Sequence, residues 1–303
     1  MTARSNDVRG GKVKVHLVDG TYELFRSHFG APPRKAPDGR EVGATTGLLR
    51  SLLALVSTPG VTHVGCAFDH VIESFRNGLY PGYKTGAGVP PDLLAQFPLA
   101  ERAVSALGIA VWPMVEFEAD DALATAVSRY AGLPGVEQVV VCSPDKDLAQ
   151  VVSGRTVVCW DRRRDTVLDE PGVVAKFGVP PGSIPDWLAH VGDSADGFPG
   201  IPGWGAKSAS AVLARFGHLE GIPDDPAALG LPAPRAARLV ESLCSRRDDA
   251  MLFRLLATLR RDAHVPQPLG DLSWSGATPD LRALCRETGD ERFLDRVQRW
   301  RPT

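Results

Sequence analysis

The chain has 303 residues, of which 44% are hydrophobic and 23% charged, and its formal net charge is −2. This composition is ordinary for a soluble globular protein, and the length suffices for one large domain or a domain plus a smaller helical one. The near-neutral charge does not by itself indicate nucleic-acid binding, although a basic groove can exist within a balanced total. The five cysteines are isolated, and we find neither an apolar signal core nor a membrane-spanning run. We therefore expect a cytoplasmic protein without disulfides, a zinc site or a membrane partner.

The first part of the chain alternates short valine-rich runs with longer helical patterns. Strands are predicted at 13–18, 61–68, 136–142 and 156–160, and helices at 43–57, 93–107 and 119–130. Strands that alternate with helices indicate an α/β fold with a parallel sheet, in which every strand ends at the same edge.

The pattern changes after about residue 176, where strand signals fade and short helices separated by Gly/Pro turns follow. Helices are predicted at 184–191 and 206–216, and a surface loop at 221–234. We therefore expect a domain boundary near 175, with an α/β domain over 1–175 and a helical domain over 176–303.

Acidic residues follow several of the predicted strands. Asp19 and Asp69 end the first two strands, and Asp145 and Asp147 follow the strand at 136–142. A lone aspartate after a strand is commonly a turn residue, and acids at a helix start favour the helix dipole. The carboxyl ends of parallel strands nevertheless meet at one edge, where sites form. Two further motifs add acids at helix ends: FEADD contributes Glu118, Asp120 and Asp121, and GDSAD contributes Asp193 and Asp196.

Many carboxylates in one cleft repel each other and need protons or cations. Hard oxygen ligands favour Mg²⁺ or Mn²⁺ over zinc, and the sequence offers no competing His/Cys spacing. Two such ions about 4 Å apart are the standard arrangement for in-line cleavage of a phosphodiester. The acids therefore predict a two-metal site that acts on phosphodiesters.

Residues 196–210, DGFPGIPGWGAKSAS, combine a glycine-rich turn with the start of a helix. Glycines allow close approach of the backbone to a ligand, and a helix N-terminus offers N–H groups to phosphate without reading bases. Alone, such a turn is mostly just a turn, but this one lies next to Asp193 and Asp196. The predicted contacts to DNA here are Gly200, Gly203, Gly205 and Lys207.

Residues 73–92, ESFRNGLYPGYKTGAGVPPD, interleave basic and aromatic side chains. Arg76, Tyr83 and Lys84 are of the types that contact phosphates and stack on exposed bases. On composition alone a mobile surface loop is an equally good interpretation.

The order of these motifs resembles that of the 5′ nucleases, the flap endonucleases and the 5′→3′ exonuclease domain of bacterial DNA polymerase I. The similar motifs run from about residue 13 to 216 and are VDG, FD, SFRxxxYxxYK, EADD, DKDL and GDxxDxxPGxxGxGxKxA. The resemblance implies a PIN-like nuclease domain with a helical arch near 73–100. It also implies a helical 5′-3′ exonuclease C-terminal domain with a helix–three-turn–helix near 184–217. No polymerase region follows, so we expect a freestanding enzyme.

The resemblance also implies a role for each acid. The first metal site would be built by Asp19, Asp69, Glu118, Asp120 and Asp121; Asp145 would be catalytic, near both ions; and Asp147, Asp193 and Asp196 would hold the second ion. Lys84 would be catalytic by steadying the scissile phosphate, Tyr83 would stack beside it, and Arg76 would contact a phosphate. The turn at 200–207 would hold the duplex, often with a K⁺ ion on its carbonyls.

Two positions depart from the pattern of the resemblance. Ala87 stands where many relatives have an arginine shortly after the arch lysine, and Gly197 stands where relatives often have asparagine. The first departure bears on how a DNA strand threads through the arch and on the rate of cleavage. The second bears on the conformation of the turn.

The implied activity is 5′→3′ exonuclease and flap-endonuclease hydrolysis of duplex, nicked or 5′-flap DNA by a monomer, in replication or repair. One alternative is a structure-specific DNA-binding protein with weak or no catalysis, which Ala87 alone supports. The other is a PIN-type ribonuclease, although such enzymes are usually far shorter and lack the GDSADGFPGIPGWG region.

Overall fold

The computed structural model describes residues 12–302, which form one six-stranded sheet with helices on both faces and a helical region beyond it. The strands are β1 (Val13–Asp19), β2 (His63–Asp69), β3 (Ala110–Met114), β4 (Val136–Cys142), β5 (Val157–Asp161) and β6 (Thr166–Leu168). The helices up to the end of the sheet are α1 (Gly20–Gly30), α2 (Gly43–Val56), α3 (Phe75–Leu79), α4 (Pro91–Leu94), α5 (Phe97–Ala106) and α6 (Ala119–Tyr130). The later helices are α7 (Glu170–Phe177), α8 (Ile184–Val191), α9 (Ala206–Phe216), α10 (Ala233–Ser245), α11 (Arg247–Ala257) and α12 (Asp280–Glu287). Within residues 12–302, no helix combines the length and the apolar character that crossing a membrane would need.

The strand order is β3-β2-β1-β4-β5-β6, and all pairs except the last are parallel. From β1 the chain adds β2 and β3 on one side and then returns to add β4 and β5 on the other. The order therefore reverses between β1 and β4, which is the point where α/β sheets form their ligand crevice. The predicted α/β fold with a parallel sheet is confirmed, with one correction: β6 is a short antiparallel strand at the edge.

Both faces of the sheet are buried, because helices cover each of them. In β1, Val15 and Leu17 pack into an apolar layer with α6 and with helices α8 to α11, whereas Val18 packs into a second layer with α2, α5 and α12. Side chains along a strand alternate between faces, so a strand that is covered on both sides has a continuous apolar sequence. This explains the valine runs of β1 and β4.

Proline accounts for two of the differences between the predicted and the observed elements. The strand β3 was not predicted because AVWPM contains Pro113, which cannot donate to a ladder; β3 lies at the sheet edge, where this is tolerated. The helix predicted at 93–107 is divided into α4 and α5, because Pro98 starts a new helix rather than continuing one.

The chain returns to the sheet after α11. The Ala263 N–H donates to Thr125 Oγ1 (3.1 Å) on α6, and the Trp274 N–H donates to the Thr62 carbonyl (2.7 Å) beside β2. Helix α12 then packs against α5 in the second apolar layer. The boundary near 175 stays a prediction, and the segment after α11 packs against α6, the start of β2 and α5.

Candidate metal centre

The site lies at the carboxyl edge of the sheet, where the strand order reverses between β1 and β4. Asp19 ends β1 and accepts hydrogen bonds from the Tyr22 N–H (2.8 Å) and from Ser143 Oγ (2.9 Å), which follows β4. Asp69 ends β2 and accepts from the Ala119 N–H (2.7 Å) at the start of α6. Each carboxylate therefore caps or anchors a helix start, as a turn residue would, and is at the same time fixed at this edge.

A cavity of about 390 Å³ opens at these two aspartates. Carboxylates from β1, β2, the start of α6 and the loop after β4 line it, and they are those of Asp19, Asp69, Glu118, Asp120 and Asp145. We call these five residues the cavity group. Sequence separation between them reaches more than 120 positions, and the parallel topology alone brings them together.

A second set of acids lies at the junction with the helical region. One oxygen from each of Asp147, Asp193 and Asp196 lies within 4.8 Å of the others, and all three side chains are buried. We call these residues the junction group. Within residues 12–302, Asp147 Oδ1 is buried without a hydrogen-bond partner, and the ion-pair contact that it makes, with Lys146 Nζ, is long at 3.7 Å. A set of buried oxygen donors with one oxygen left unpartnered fits a hard divalent cation.

Burial raises the pKa of some carboxylates in each group. Burial, reinforced by the charge of Asp69, raises the pKa of Asp19 to about 7, and burial raises the pKa of Asp69 to about 6. Burial and then the charge of Asp145 raise the pKa of Asp120 and that of Asp147. Asp145, a member of the cavity group, also accepts a hydrogen bond from the Asp147 N–H (2.9 Å), so it adjoins the junction group. A bound cation would reverse these shifts, since an opposite charge favours the ionised carboxylate.

Lys84 joins the two groups. Its Nζ lies 2.8 Å from Glu118 Oε2 in the cavity group and 3.1 Å from Asp196 Oδ1 in the junction group. Burial alone would lower the pKa of Lys84, but the charges of Glu118 and Asp196 outweigh it and raise that pKa. The ammonium group therefore stays charged and neutralises one carboxylate of each group.

Asp121 and Arg76 lie apart from the cavity and bind each other. Asp121 is fully buried, and its carboxylate accepts from Arg76 Nη1 (2.7 Å), Arg76 Nη2 (2.8 Å) and the backbone N–H of Arg260 (2.8 Å). Its oxygens are engaged in hydrogen bonds and do not line the cavity, so the structure does not bring it together with the other predicted ligands. The Arg76 side chain is 1% exposed and has no access to a DNA phosphate.

The segment at 73–100 also differs from its prediction. Only α3, with five residues, and α4, with four, are helical before α5 begins, so the segment is largely irregular rather than a helical arch. Tyr83 is 4% exposed, and its hydroxyl lies 3.4 Å from Glu118 Oε2. A buried ring cannot stack on a base, and in this structure Tyr83 packs beside the carboxylate of Glu118.

The glycine turn divides into a packed part and an exposed part. Gly200 has a φ of +72°, and a Cβ there would lie 2.4 Å from the Gly192 nitrogen, so its role is close packing rather than contact with DNA. Gly203, Gly205 and Lys207 are exposed at the start of α9. These three remain predicted DNA contacts.

The backbone conformation at Gly197 explains why this position departs from the family pattern. Its φ is +88°, and a Cβ at this position would lie 2.2 Å from the carbonyl oxygen of Gly82. The Lys84 N–H donates to the Asp196 carbonyl (2.9 Å) in the same contact. Glycine therefore lets the segment that carries Lys84 pack directly on the turn that carries Asp196.

Three residues of the site were not singled out from the sequence. Ser143 holds Asp19, Lys146 forms ion pairs with Asp147 and Asp193, and Gln150 donates to the Asp147 carbonyl (2.9 Å). All three lie in the run CSPDKDLAQ after β4, beside acids that were singled out. Their proximity to Asp145 and Asp147 was a usable signal, but which of them points inward depends on the fold.

Two family models match the chain. The model described as 5′-3′ exonuclease, N-terminal resolvase-like domain, matches residues 14–178, and that described as 5′-3′ exonuclease, C-terminal SAM fold, matches residues 179–280. The 5′-3′ exonuclease of Aquifex aeolicus (strain VF5) is 32% identical over 271 residues, which cover 89% of each chain. DNA polymerase I of Bacillus caldotenax is 32% identical over 292 residues, which cover 95% of this chain and 32% of that protein. The chain thus spans about a third of the length of this relative.

Solved structures share the fold. A flap endonuclease of bacteriophage T5, solved as a complex with DNA and metal ions, has a TM-score of 0.66 at 17% identity, covering 89% of this chain and 98% of that one. The catalytic core of Rad2, solved in complex with DNA substrate, has a TM-score of 0.61 at 15% identity, covering 95% and 92%. The sequence-based prediction of the family is confirmed: the chain belongs to the 5′-3′ exonuclease family.

Proposed function

We propose that this chain is a metal-dependent 5′→3′ exonuclease and flap endonuclease that hydrolyses phosphodiester bonds of DNA. One observation carries the proposal: the cavity group and the junction group meet at Asp145 and are joined by Lys84. Two adjacent sets of buried carboxylates suit two cations, which is the arrangement that cleaves phosphodiesters by in-line displacement.

The proposed cations are Mg²⁺ or Mn²⁺, one held by the cavity group, which includes Asp145, and one held by the junction group. The donor atoms are carboxylate oxygens, which hard divalent cations prefer. When bound, such ions lower the pKa of water and stabilise negative charge on phosphate oxygens. The raised pKa values of Asp19 and Asp69 indicate that these carboxylates gain by holding a cation.

Lys84 is the proposed catalytic side chain beside the acids. Without cations it neutralises Glu118 and Asp196. Once cations take over that role, the ammonium group becomes available to the scissile phosphate, whose charge it stabilises. Its side chain is 30% exposed and lines the cavity, so it meets both solvent and the acids.

The exposed part of the glycine turn is the proposed grip on the DNA backbone. Gly203, Gly205 and Lys207 lie at the N-terminus of α9, where N–H groups and a lysine face solvent. Such a surface binds phosphate without reading sequence, and a K⁺ ion on the turn carbonyls belongs to the same proposal. The proposed substrates are nicked or 5′-flap duplexes, cut by a monomer during DNA replication or repair. The DNA-bound relatives and the DNA polymerase I relatives support this choice.

Product mapping tests the proposal. A 5′-labelled flap duplex and a 5′-labelled nicked duplex are incubated with Mg²⁺, Mn²⁺ or EDTA, and products are sized on a denaturing gel. We expect short labelled products released from the 5′ end only when a divalent cation is present. The matched control is Asp295→Asn, an exposed carboxylate away from the acids, which should cut like the wild type.

Three results would contradict the proposal. Tight flap binding without cleavage in Mg²⁺ or Mn²⁺ would favour a DNA-binding protein. Faster cleavage of an RNA flap than of a DNA flap would favour a ribonuclease. Release of products from the 3′ end would overturn the polarity.

A further inference from the structure

The end of α11 is linked to both groups of acids through two buried side chains, Arg76 and Gln150. A helix leaves its last carbonyl groups without partners inside the helix, and buried ones need partners elsewhere. Here the Leu256 and Thr258 carbonyls accept from Arg76 Nε (2.8 Å) and Nη2 (3.2 Å), and the Ala257 carbonyl accepts from Gln150 Nε2 (3.0 Å). We call residues 256–260 the bridging segment.

Arg76 connects the bridging segment to the cavity group. A guanidinium group has five N–H donors in a fixed plane, and all five are used here. Besides the two carbonyls of the bridging segment, they serve Glu118 Oε1 (3.2 Å) and both oxygens of Asp121. The backbone N–H of Arg260, in the bridging segment, also donates to Asp121 Oδ1 (2.8 Å). The orientation of Glu118 is thereby tied to the backbone at the end of α11.

Gln150 connects the same segment to the junction group. Its amide nitrogen donates to the Asp147 carbonyl (2.9 Å) as well as to the Ala257 carbonyl, and its oxygen accepts from the Leu259 N–H (3.0 Å). Gln150 is buried, so these bonds are not exchanged freely for bonds with water. Its planar amide therefore fixes the backbone of Asp147 relative to the bridging segment.

We propose that the bridging segment fixes the distance between the two groups of acids, and that Arg76 and Gln150 are the positioning residues through which it does so. The inference rests on the proposed nuclease function. A two-metal site works only at a separation of about 4 Å, and a displacement of about 1 Å costs on the order of a hundredfold in rate. Glu118 of the cavity group lies at the start of α6, and Asp147 of the junction group lies in the segment after β4. The bridging segment is linked to the first through Arg76 and to the second through Gln150.

Gln150→Met tests the proposal, because methionine has a similar length and volume but cannot form the three hydrogen bonds. The first readout needs no substrate: Mn²⁺ is added to the protein, and electron paramagnetic resonance reports the magnetic coupling of two ions bound close together. We expect the coupled-pair signal of the wild type to weaken or disappear in the variant. The second readout is cleavage, where we expect the Mg²⁺ midpoint to rise about tenfold or more with an unchanged KM for DNA.

Arg129→Met is the matched control. Arg129 on α6 donates to the Val265 carbonyl, so it holds the same returning chain to the same domain without contacting either acid group. A general loss of packing would affect both variants alike, whereas positioning would affect Gln150→Met alone. Arg76→Lys is the second variant if Gln150→Met fails to fold: it keeps the charge beside Asp121 but loses the planar fork.

The outcomes separate this proposal from the proposed function. If the wild type binds two magnetically coupled Mn²⁺ ions but cuts no DNA, the nuclease function is refuted. The positioning role is then decided by the resonance signal of the variant alone. A folded Gln150→Met, or Arg76→Lys in its place, with wild-type coupling and a wild-type Mg²⁺ midpoint would overturn the positioning role. Equal effects of Arg129→Met would overturn it as well.

Discussion

In the metal-free protein, Asp19→Asn should raise the free energy of unfolding relative to the wild type, and this gain should be larger at pH 8 than at pH 5. Burial raises the pKa of Asp19 from an ordinary 3.8 to about 7. Between these two values the folded state binds more protons than the unfolded state, so the free energy of unfolding falls as the pH rises through this window. The wild type therefore carries a penalty that is absent near pH 4 and nearly complete at pH 8. Asparagine keeps the shape and cannot ionise.

The size of the effect follows from the two pKa values. Between pH 5 and pH 8, a carboxyl group with a folded pKa of about 7 contributes roughly 2.6 kcal/mol to the change in unfolding free energy. That is a large fraction of the total stability of about 5–15 kcal/mol of a typical domain. Burial also lowers the pKa of His16 to about 4 and lowers those of His63 and His190, which gives the opposite pH dependence near pH 6. Those contributions cancel when the variant is compared with the wild type.

Urea unfolding in EDTA at pH 5, 6, 7 and 8 measures the difference between the two proteins. We expect the variant to gain about 2–3 kcal/mol relative to the wild type as the pH rises from 5 to 8. Mg²⁺ should raise the unfolding free energy of the wild type more at pH 8 than at pH 5, because metal binding needs the ionised carboxylate. A difference that stays constant across this range would refute the argument that burial raises the pKa of Asp19.

Three further substitutions test other parts of the site. Lys84→Met should lower the cleavage rate by about 10²–10³-fold while DNA affinity in Ca²⁺ stays within a few-fold, since the ammonium acts on developing charge; a change confined to affinity would contradict this. Gly197→Asn should lower the unfolding free energy by about 1–3 kcal/mol in urea, because its φ of +88° and the Gly82 carbonyl leave no room for a side chain; an unchanged midpoint would show that the turn can shift. Lys207→Ala should weaken DNA binding equally for all sequences and reduce the salt-dependence slope by about one; an unchanged slope would remove Lys207 from the interface.

Much of the fold was readable from the sequence because the strands are short, apolar and separated by clear helices. β4 and α6 have the predicted bounds, and so do α8 and α9. The missing strand β3 contains Pro113 and lies at an edge, where a proline costs little. Its local sequence therefore gave no indication that it would pair.

The site was readable only in part because adjacent residues in one motif have opposite roles. In FEADD, Asp120 faces the cavity, whereas its neighbour Asp121 points into the protein and binds Arg76. That choice depends on Arg76, 45 positions away, and on Arg260, 139 positions away. No local pattern contains these contacts. Tyr83 is likewise buried in the apolar layer of the sheet and meets Glu118, 35 positions away.

The most direct test of the central claim is cleavage of a 5′-flap duplex by the variant that combines Asp145→Asn with Asp193→Asn. Asp145 belongs to the cavity group and adjoins the junction group, and Asp193 belongs to the junction group. With Mg²⁺ we predict that the wild type cuts the flap and that the variant loses at least about 100-fold in rate, while both proteins bind the uncut substrate in Ca²⁺. Cleavage by the variant at the wild-type rate would contradict the account, because the acids would then not carry the reaction.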